Sequence, residues 1–106
     1  MITPERITEL SARIAATYAP ERIILFGSYA DGSADEDSDV DLLVILAHAE
    51  HPVQKAAEIL RALQPRLPLD LIVRTPEEVR QRLAWNDFFL REVMEKGVVL
   101  YESADA

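Results

Sequence analysis

The chain has 106 residues and no cysteine, which is material for one domain and excludes disulfides, thiolate zinc sites and cysteine nucleophiles. Hydrophobic residues make up 49 % of it, so wholesale disorder is excluded and we expect one domain over residues 1–106. The formal net charge of −8 disfavours nucleic acid as a substrate and suits a basic protein partner better. Since the sequence has neither a long apolar run nor a signal-peptide pattern, we also expect a cytoplasmic protein.

Helical periodicity, caps and β-branched runs predict the element order α-β-β-α-β-α-α-β. The first half comprises a helix opened by Thr3 and closed by Pro20, a strand at 22–26, a loop at 27–38 with one helical turn at most, and a strand at 40–46. The second half comprises a helix opened by His51, a strand at 69–73, a helix opened by a Thr75–Glu78 capping box, a helix capped by Asn86 or Asp87 that stops at Gly97, and a strand at 98–101. This order predicts an α/β (α+β) fold with a small mixed β-sheet flanked by helices.

Two aspartates, Asp39 and Asp41, stand at the start of the strand predicted at 40–46. Residues two apart on a strand point to the same face and lie roughly 6–7 Å apart. Asp41 interrupts an apolar run, where an unpaired buried carboxylate costs several kcal/mol. A bound cation would offset that cost, and Mg²⁺ is the ion that paired carboxylates prefer. The alternative is a solvated acidic run, which would be expected to end before the strand begins.

A third acid, Asp70, interrupts the apolar strand predicted at 69–73, so the same argument about burial applies to it. If this strand pairs beside the strand at 40–46, the Asp70 carboxylate can face the same metal cluster. The alternative is an acid on an edge strand, paired with Arg66 or Arg74.

The dipeptide Gly27-Ser28 directly follows the strand at 22–26. Glycine lets the backbone approach a bulky anion, and the serine hydroxyl and loop N–H groups can donate to phosphate oxygens. By itself the dipeptide is a weak signal, because Gly-Ser after a strand is usually only a turn.

Taken together, Gly27-Ser28, ten intervening residues, Asp39-Val40-Asp41 and the strand acid Asp70 resemble the DNA polymerase β-type nucleotidyltransferase superfamily. The length and the apolar flanks resemble, within it, the minimal nucleotidyltransferases that act as antitoxins of HEPN proteins. The resemblance covers nearly the whole chain, including the closing residues 97–101. It implies the nucleotidyltransferase fold.

The resemblance also implies a role for each residue that matches the motif. Asp39 and Asp41 would hold two Mg²⁺ ions, while Asp70 would complete the metal site and orient or deprotonate the attacking hydroxyl. Gly27 and Ser28 would cradle the terminal phosphates. The implied substrate is ATP, and the implied reaction transfers AMP onto a tyrosine of a HEPN toxin partner.

One position departs from the family pattern, because many relatives carry Arg where this chain has Asp31. Either another basic residue substitutes for that arginine, or nucleotide binding is weak. Weak binding would favour a second function, a non-catalytic antitoxin or binding module that neutralises its partner by occlusion alone.

Transfer to a small molecule is disfavoured, because 106 residues leave no room for a second domain to shape an acceptor pocket. Trp85, Phe88 and Phe89 could stack on a base, but their helical spacing favours a core or partner surface.

Overall fold

The structure is a computed structural model that describes residues 1–105. Its helices and strands, in chain order, are α1 (Pro4–Tyr18), β1 (Arg22–Phe26), α2 (Ser28–Asp31), β2 (Val40–Ile45), α3 (Pro52–Leu63), β3 (Leu69–Arg74), α4 (Pro76–Ala84), α5 (Phe88–Lys96) and β4 (Val98–Glu102). Within the described range, no helix is both long enough and apolar enough to cross a membrane.

The four strands form one sheet in the order β3-β2-β1-β4. β1 pairs antiparallel with both β2 and β4, whereas β2 pairs parallel with β3, so the sheet is mixed. α3 makes the crossover that a parallel β2–β3 pair requires. The predicted fold class is therefore confirmed. The strand that carries Asp70, β3, does pair beside β2.

The sheet is covered on both faces, because side chains alternate along each strand. On one face, Leu42 and Val44 of β2 pack with α1 and α3 in the larger apolar cluster. On the other face, Leu43 and Ile45 of β2 pack with α4 and α5 in a second cluster. The alternation places Asp41 on this second face, at the end of β2 where the strand begins.

Several boundaries differ from the predicted ones by a residue or two. α1 ends at Tyr18 rather than at Pro20, because Ala19 adopts a left-handed conformation and its N–H donates to the Ala15 carbonyl. The one helical turn allowed in the loop is α2, and Asp87, rather than Asn86, caps α5.

The capping box of α4 is formed as predicted and gives a test of the fold. The Thr75 hydroxyl accepts from the Glu78 N–H at 3.1 Å, and the Glu78 carboxylate accepts from the Thr75 N–H at 3.2 Å. We expect Thr75→Ala to lower the free energy of unfolding by about 1 kcal/mol, which lowers Tm by roughly 4–8 °C. Thermal unfolding checks this, with Thr17→Ala on an exposed turn of α1 as the control. Equal Tm values for the two variants would contradict the capping role.

Candidate active site

Three side chains form a row across the sheet at the end where β2 begins. Phe26 of β1 is the register partner of Asp41 in β2, and Asp41 is the register partner of Asp70 in β3. Directly opposed positions share a face of the sheet and have Cβ atoms roughly 4.5–5.5 Å apart. The parallel pairing of β2 with β3 thus places two carboxylates side by side on the face covered by α4 and α5.

Gly27 lies directly against the Asp41 carboxylate. A Cβ built on Gly27 would overlap Asp41 Oδ2 and would lie 3.1 Å from Asp41 Cγ. Gly27 also has φ +74° and ψ −153°, a conformation that is essentially restricted to glycine. Both space and backbone conformation therefore require glycine here, and the loop that follows β1 begins in contact with the row.

The electrostatic environment of Asp41 disfavours its charged form. Burial, the neighbouring Asp70 and then Asp39 raise the pKa of the Asp41 carboxyl, burial being the largest cause. Among residues 1–105, neither Asp41 nor its two acidic neighbours forms an ion pair with a lysine or arginine. This end of the sheet is therefore a concentration of negative charge without a compensating side chain.

Two expectations about these acids need correction. Asp70 is exposed rather than buried, because β3 is an edge strand, and the alternative ion pair with Arg66 or Arg74 is not formed. Asp39 is also exposed and lies one residue before β2, as the predicted start of the strand at residue 40 implies. As the side chains stand, no three carboxylate or imidazole groups of residues 1–105 are close enough to ligate one ion. The juxtaposed part of the predicted cluster is the Asp41–Asp70 pair.

The loop between Gly27 and β2 is held by its own polar groups. The Ser33 N–H and hydroxyl donate to Asp31 Oδ1 at 2.9 and 2.6 Å, and the hydroxyl bond is the first cause of the lowered pKa of Asp31. The Tyr29 hydroxyl accepts from the Ile2 N–H at 3.1 Å, which ties α2 to the start of the chain. Asp31 is exposed and therefore remains a carboxylate beside Gly27.

A cavity of about 250 Å³ opens between Gly27 and α5. Its walls include Phe26 and Phe89, whose rings meet edge to face at a centroid distance of 5.5 Å. Asp31 and Lys96 also line it. A larger cavity of about 500 Å³, the arginine-lined cavity, lies between α1 and the end of α3 and contains none of the predicted site residues. Of these two cavities we place the site at the smaller one, because Gly27 and Phe26, the neighbours of Asp41, line it, although none of the three predicted metal-binding aspartates does.

The sequence did not reveal the contribution of α5 to this site. Trp85, Phe88 and Phe89 are 71 %, 79 % and 45 % exposed, so the core alternative for them is wrong and a surface role remains. Lys96 was not singled out, because a lysine in the last turn of a helix is common and stabilises the helix end. Only the packing of α5 on β1 places it near Gly27.

The chain is similar to known proteins in both sequence and fold. The family described as nucleotidyltransferase domain matches residues 7–100, from the first buried residue of α1 into β4. A Methanocaldococcus jannaschii protein named "Putative protein adenylyltransferase" is 34 % identical over 82 residues, which cover 76 % of this chain and 78 % of that protein.

Two solved structures share the fold. One is a crystal structure of a "putative nucleotidyltransferase" from Sulfolobus solfataricus, with a TM-score of 0.64, 21 % identity and coverage of 92 % of this chain and 78 % of that one. The other is a crystal structure of a toxin–antitoxin with AMP-PNP, with a TM-score of 0.58, 21 % identity and coverage of 92 % and 75 %. Sequence family, named relative and fold agree: this chain belongs to the nucleotidyltransferase domain family and is a transferase.

Proposed function

We propose that the chain transfers AMP from ATP onto a side-chain hydroxyl of a HEPN-domain toxin and thereby acts as its antitoxin. The observation that carries this proposal is the Asp41–Asp70 pair set against Gly27 at one end of the sheet. The name of the M. jannaschii relative supports protein as the acceptor. The motif resemblance supports a HEPN partner, and the toxin–antitoxin with the same fold is consistent with it. The net charge of −8 suits a basic protein surface.

Each group has a defined part in the reaction. The acceptor oxygen attacks the α-phosphorus of ATP, a new P–O bond forms, the α–β P–O bond breaks and pyrophosphate leaves. Asp70, exposed at the edge of the row, orients the acceptor hydroxyl and takes its proton. The Ser28 hydroxyl and the N–H groups that follow Gly27 donate to the terminal phosphates. Positioning and electrostatics are the main demands that phosphoryl-type transfer makes on a protein.

Asp39, Asp41 and Asp70 are the residues that would hold two Mg²⁺ ions. Their oxygen donors suit a hard cation, and a cation would offset both causes of the raised pKa of Asp41, which are burial first and then the neighbouring carboxylates. Asp39 is exposed, which leaves room for its carboxylate to rotate toward the other two. When bound, the ions would neutralise charge on the attacking and leaving oxygens.

The direct test measures the intact mass of the HEPN-domain protein encoded by a neighbouring gene, after incubation with this chain, ATP and Mg²⁺. We expect AMP-sized increments, and we expect Asp41→Asn or Asp70→Asn to reduce their rate by about 10²-fold or more. Asp37→Asn, on the exposed loop, is the matched control and should transfer at the wild-type rate. An unchanged mass in a complex that nonetheless forms would refute transfer and support neutralisation by occlusion.

Asp41→Asn should also stabilise the metal-free protein. A carboxyl whose folded-state pKa is raised destabilises the fold at every pH above that pKa, and the penalty disappears as pH falls to the unfolded value. We therefore expect Asp41→Asn to raise the free energy of unfolding by about 0.5 kcal/mol at pH 7.5, and by less near pH 4. Thermal unfolding without metal checks this.

With Mg²⁺ present, the wild type should become more stable than Asp41→Asn, since a bound ion stabilises the wild type and not the variant. Asp37→Asn again serves as the control, with no change in stability at either pH. If Asp41→Asn had a lower metal-free Tm than the wild type, the Asp41 carboxylate would not destabilise the fold, and this prediction would be wrong.

The contact between Gly27 and Asp41 is tested by two glycine substitutions. Gly27→Ala and Gly32→Ala both place a Cβ at positive φ, but only the alanine at Gly27 overlaps the Asp41 carboxylate, whereas position 32 is open within 4 Å. We expect both variants to lose stability, by roughly 1–2 kcal/mol at Gly32 and more at Gly27. Only Gly27→Ala should lose transfer, as measured by the mass assay below its own Tm. Wild-type transfer by folded Gly27→Ala would show that the contact is dispensable.

A further inference from the structure

The cavity beside Gly27 has an unusual charge balance for a site that receives a triphosphate. Its acidic lining residues are Asp31 and Glu92, and its one basic lining residue is Lys96. The loop from Ser28 to Asp39 contains no lysine or arginine. An anion that enters here meets two carboxylates, so its binding depends on a cation that the loop does not supply.

The backbone packing of α5 determines where Lys96 lies. Its neighbour Gly97 touches β1 so closely that a Cβ there would lie 2.6 Å from Ile24 Cγ2 and 3.0 Å from the Leu25 carbonyl oxygen. Leu25 is two residues before Gly27. The end of α5 is therefore held against the strand that leads into Gly27, and the lysine beside that contact is placed at the cavity by the fold.

The Lys96 ammonium is available to an incoming anion. In the structure it lies 3.2 Å from Glu92 Oε1, one turn earlier on the same helix, and the lysine side chain is 75 % exposed. An exposed pair of this kind contributes little to stability. A phosphate oxygen can therefore replace the Glu92 carboxylate as the partner of Lys96 at small cost.

Asp31 cannot be the partner of a phosphate, and its charge increases the need for a cation. Its carboxylate accepts both hydrogen bonds from Ser33, which hold it in its own turn on the wall of the cavity. The pKa of Asp31 is lowered by these bonds, so the group stays ionised across the neutral range.

We propose that Lys96 binds the terminal phosphates of the nucleotide and supplies the positive charge that the Gly27–Asp39 loop lacks. This inference rests on the function proposed above and names α5, rather than the loop, as the source of the charge. Of the two alternatives at Asp31, it favours a substitute basic residue, since Lys96 lines the same cavity as Asp31.

The experiment measures calorimetric dissociation constants of ATP, ADP and AMP with the full chain in Mg²⁺. Lys96→Met should raise Kd for ATP about tenfold, the loss expected for one charge-assisted contact, and should change Kd for AMP much less. Lys96→Arg should restore most of the affinity. Arg91→Met is the matched control, because it removes one positive charge from the same helix at a residue that does not line the cavity. Lys96→Met should lower Tm only slightly, since the side chain is exposed and contributes only to the end of the helix, and Lys96→Arg should keep the wild-type Tm.

The outcomes separate this inference from the proposed function. If the wild type binds ATP and Lys96→Met binds it with the same Kd, the role of Lys96 is overturned and the proposed function stands. The same holds if Arg91→Met loses as much affinity for ATP as Lys96→Met does. An equal loss for AMP and ATP also overturns it, because the contact would then not be with the terminal phosphates. A wild-type chain that binds no ATP overturns the proposed function itself.

Discussion

The contact between Gly27 and the Asp41 carboxylate is the constraint on which the rest of the site depends. No other residue type fits at position 27, because a Cβ would overlap Asp41 Oδ2 and the backbone has φ +74°. The contact joins the end of β1 to the start of β2, so sheet register places the loop that begins at Gly27 against Asp41. Parallel pairing with β3 then adds Asp70 beside Asp41. One antiparallel and one parallel pairing thus bring Gly27, Asp41 and Asp70 together.

The carboxylates gathered around Asp41 lower the stability of the fold at this end of the sheet. Two carboxylates face each other on adjacent strands, and a third, Asp39, lies close enough to raise the pKa of Asp41. The apolar clusters reach this end of the sheet through Val40, which is buried in the larger cluster, and Phe26, which packs against the second. Negative charge concentrated in this way favours the binding of a cation.

Local signals in the sequence predicted most of the fold and part of the site. The Thr75–Glu78 capping box and the β-branched run of β1 have short-range causes, so their elements were predicted nearly residue by residue. The exposure of Asp70 was not predictable, because it follows from the position of β3 at the edge of the sheet. Lys96 was missed for a related reason, since its place beside Gly27 results from α5 packing on β1 through Gly97. Spacing along the chain shows which residues of neighbouring strands can lie together, whereas the position of a residue on a distant helix depends on tertiary packing.

The most direct test of the account is anomalous diffraction from crystals of the chain grown with Mn²⁺ and a non-hydrolysable ATP analogue. The account predicts Mn²⁺ peaks bounded by the carboxylates of Asp39, Asp41 and Asp70, with the terminal phosphates against Gly27 and Ser28. An analogue bound in the arginine-lined cavity between α1 and α3, or phosphates at Gly27 without Mn²⁺ at the aspartates, would contradict it.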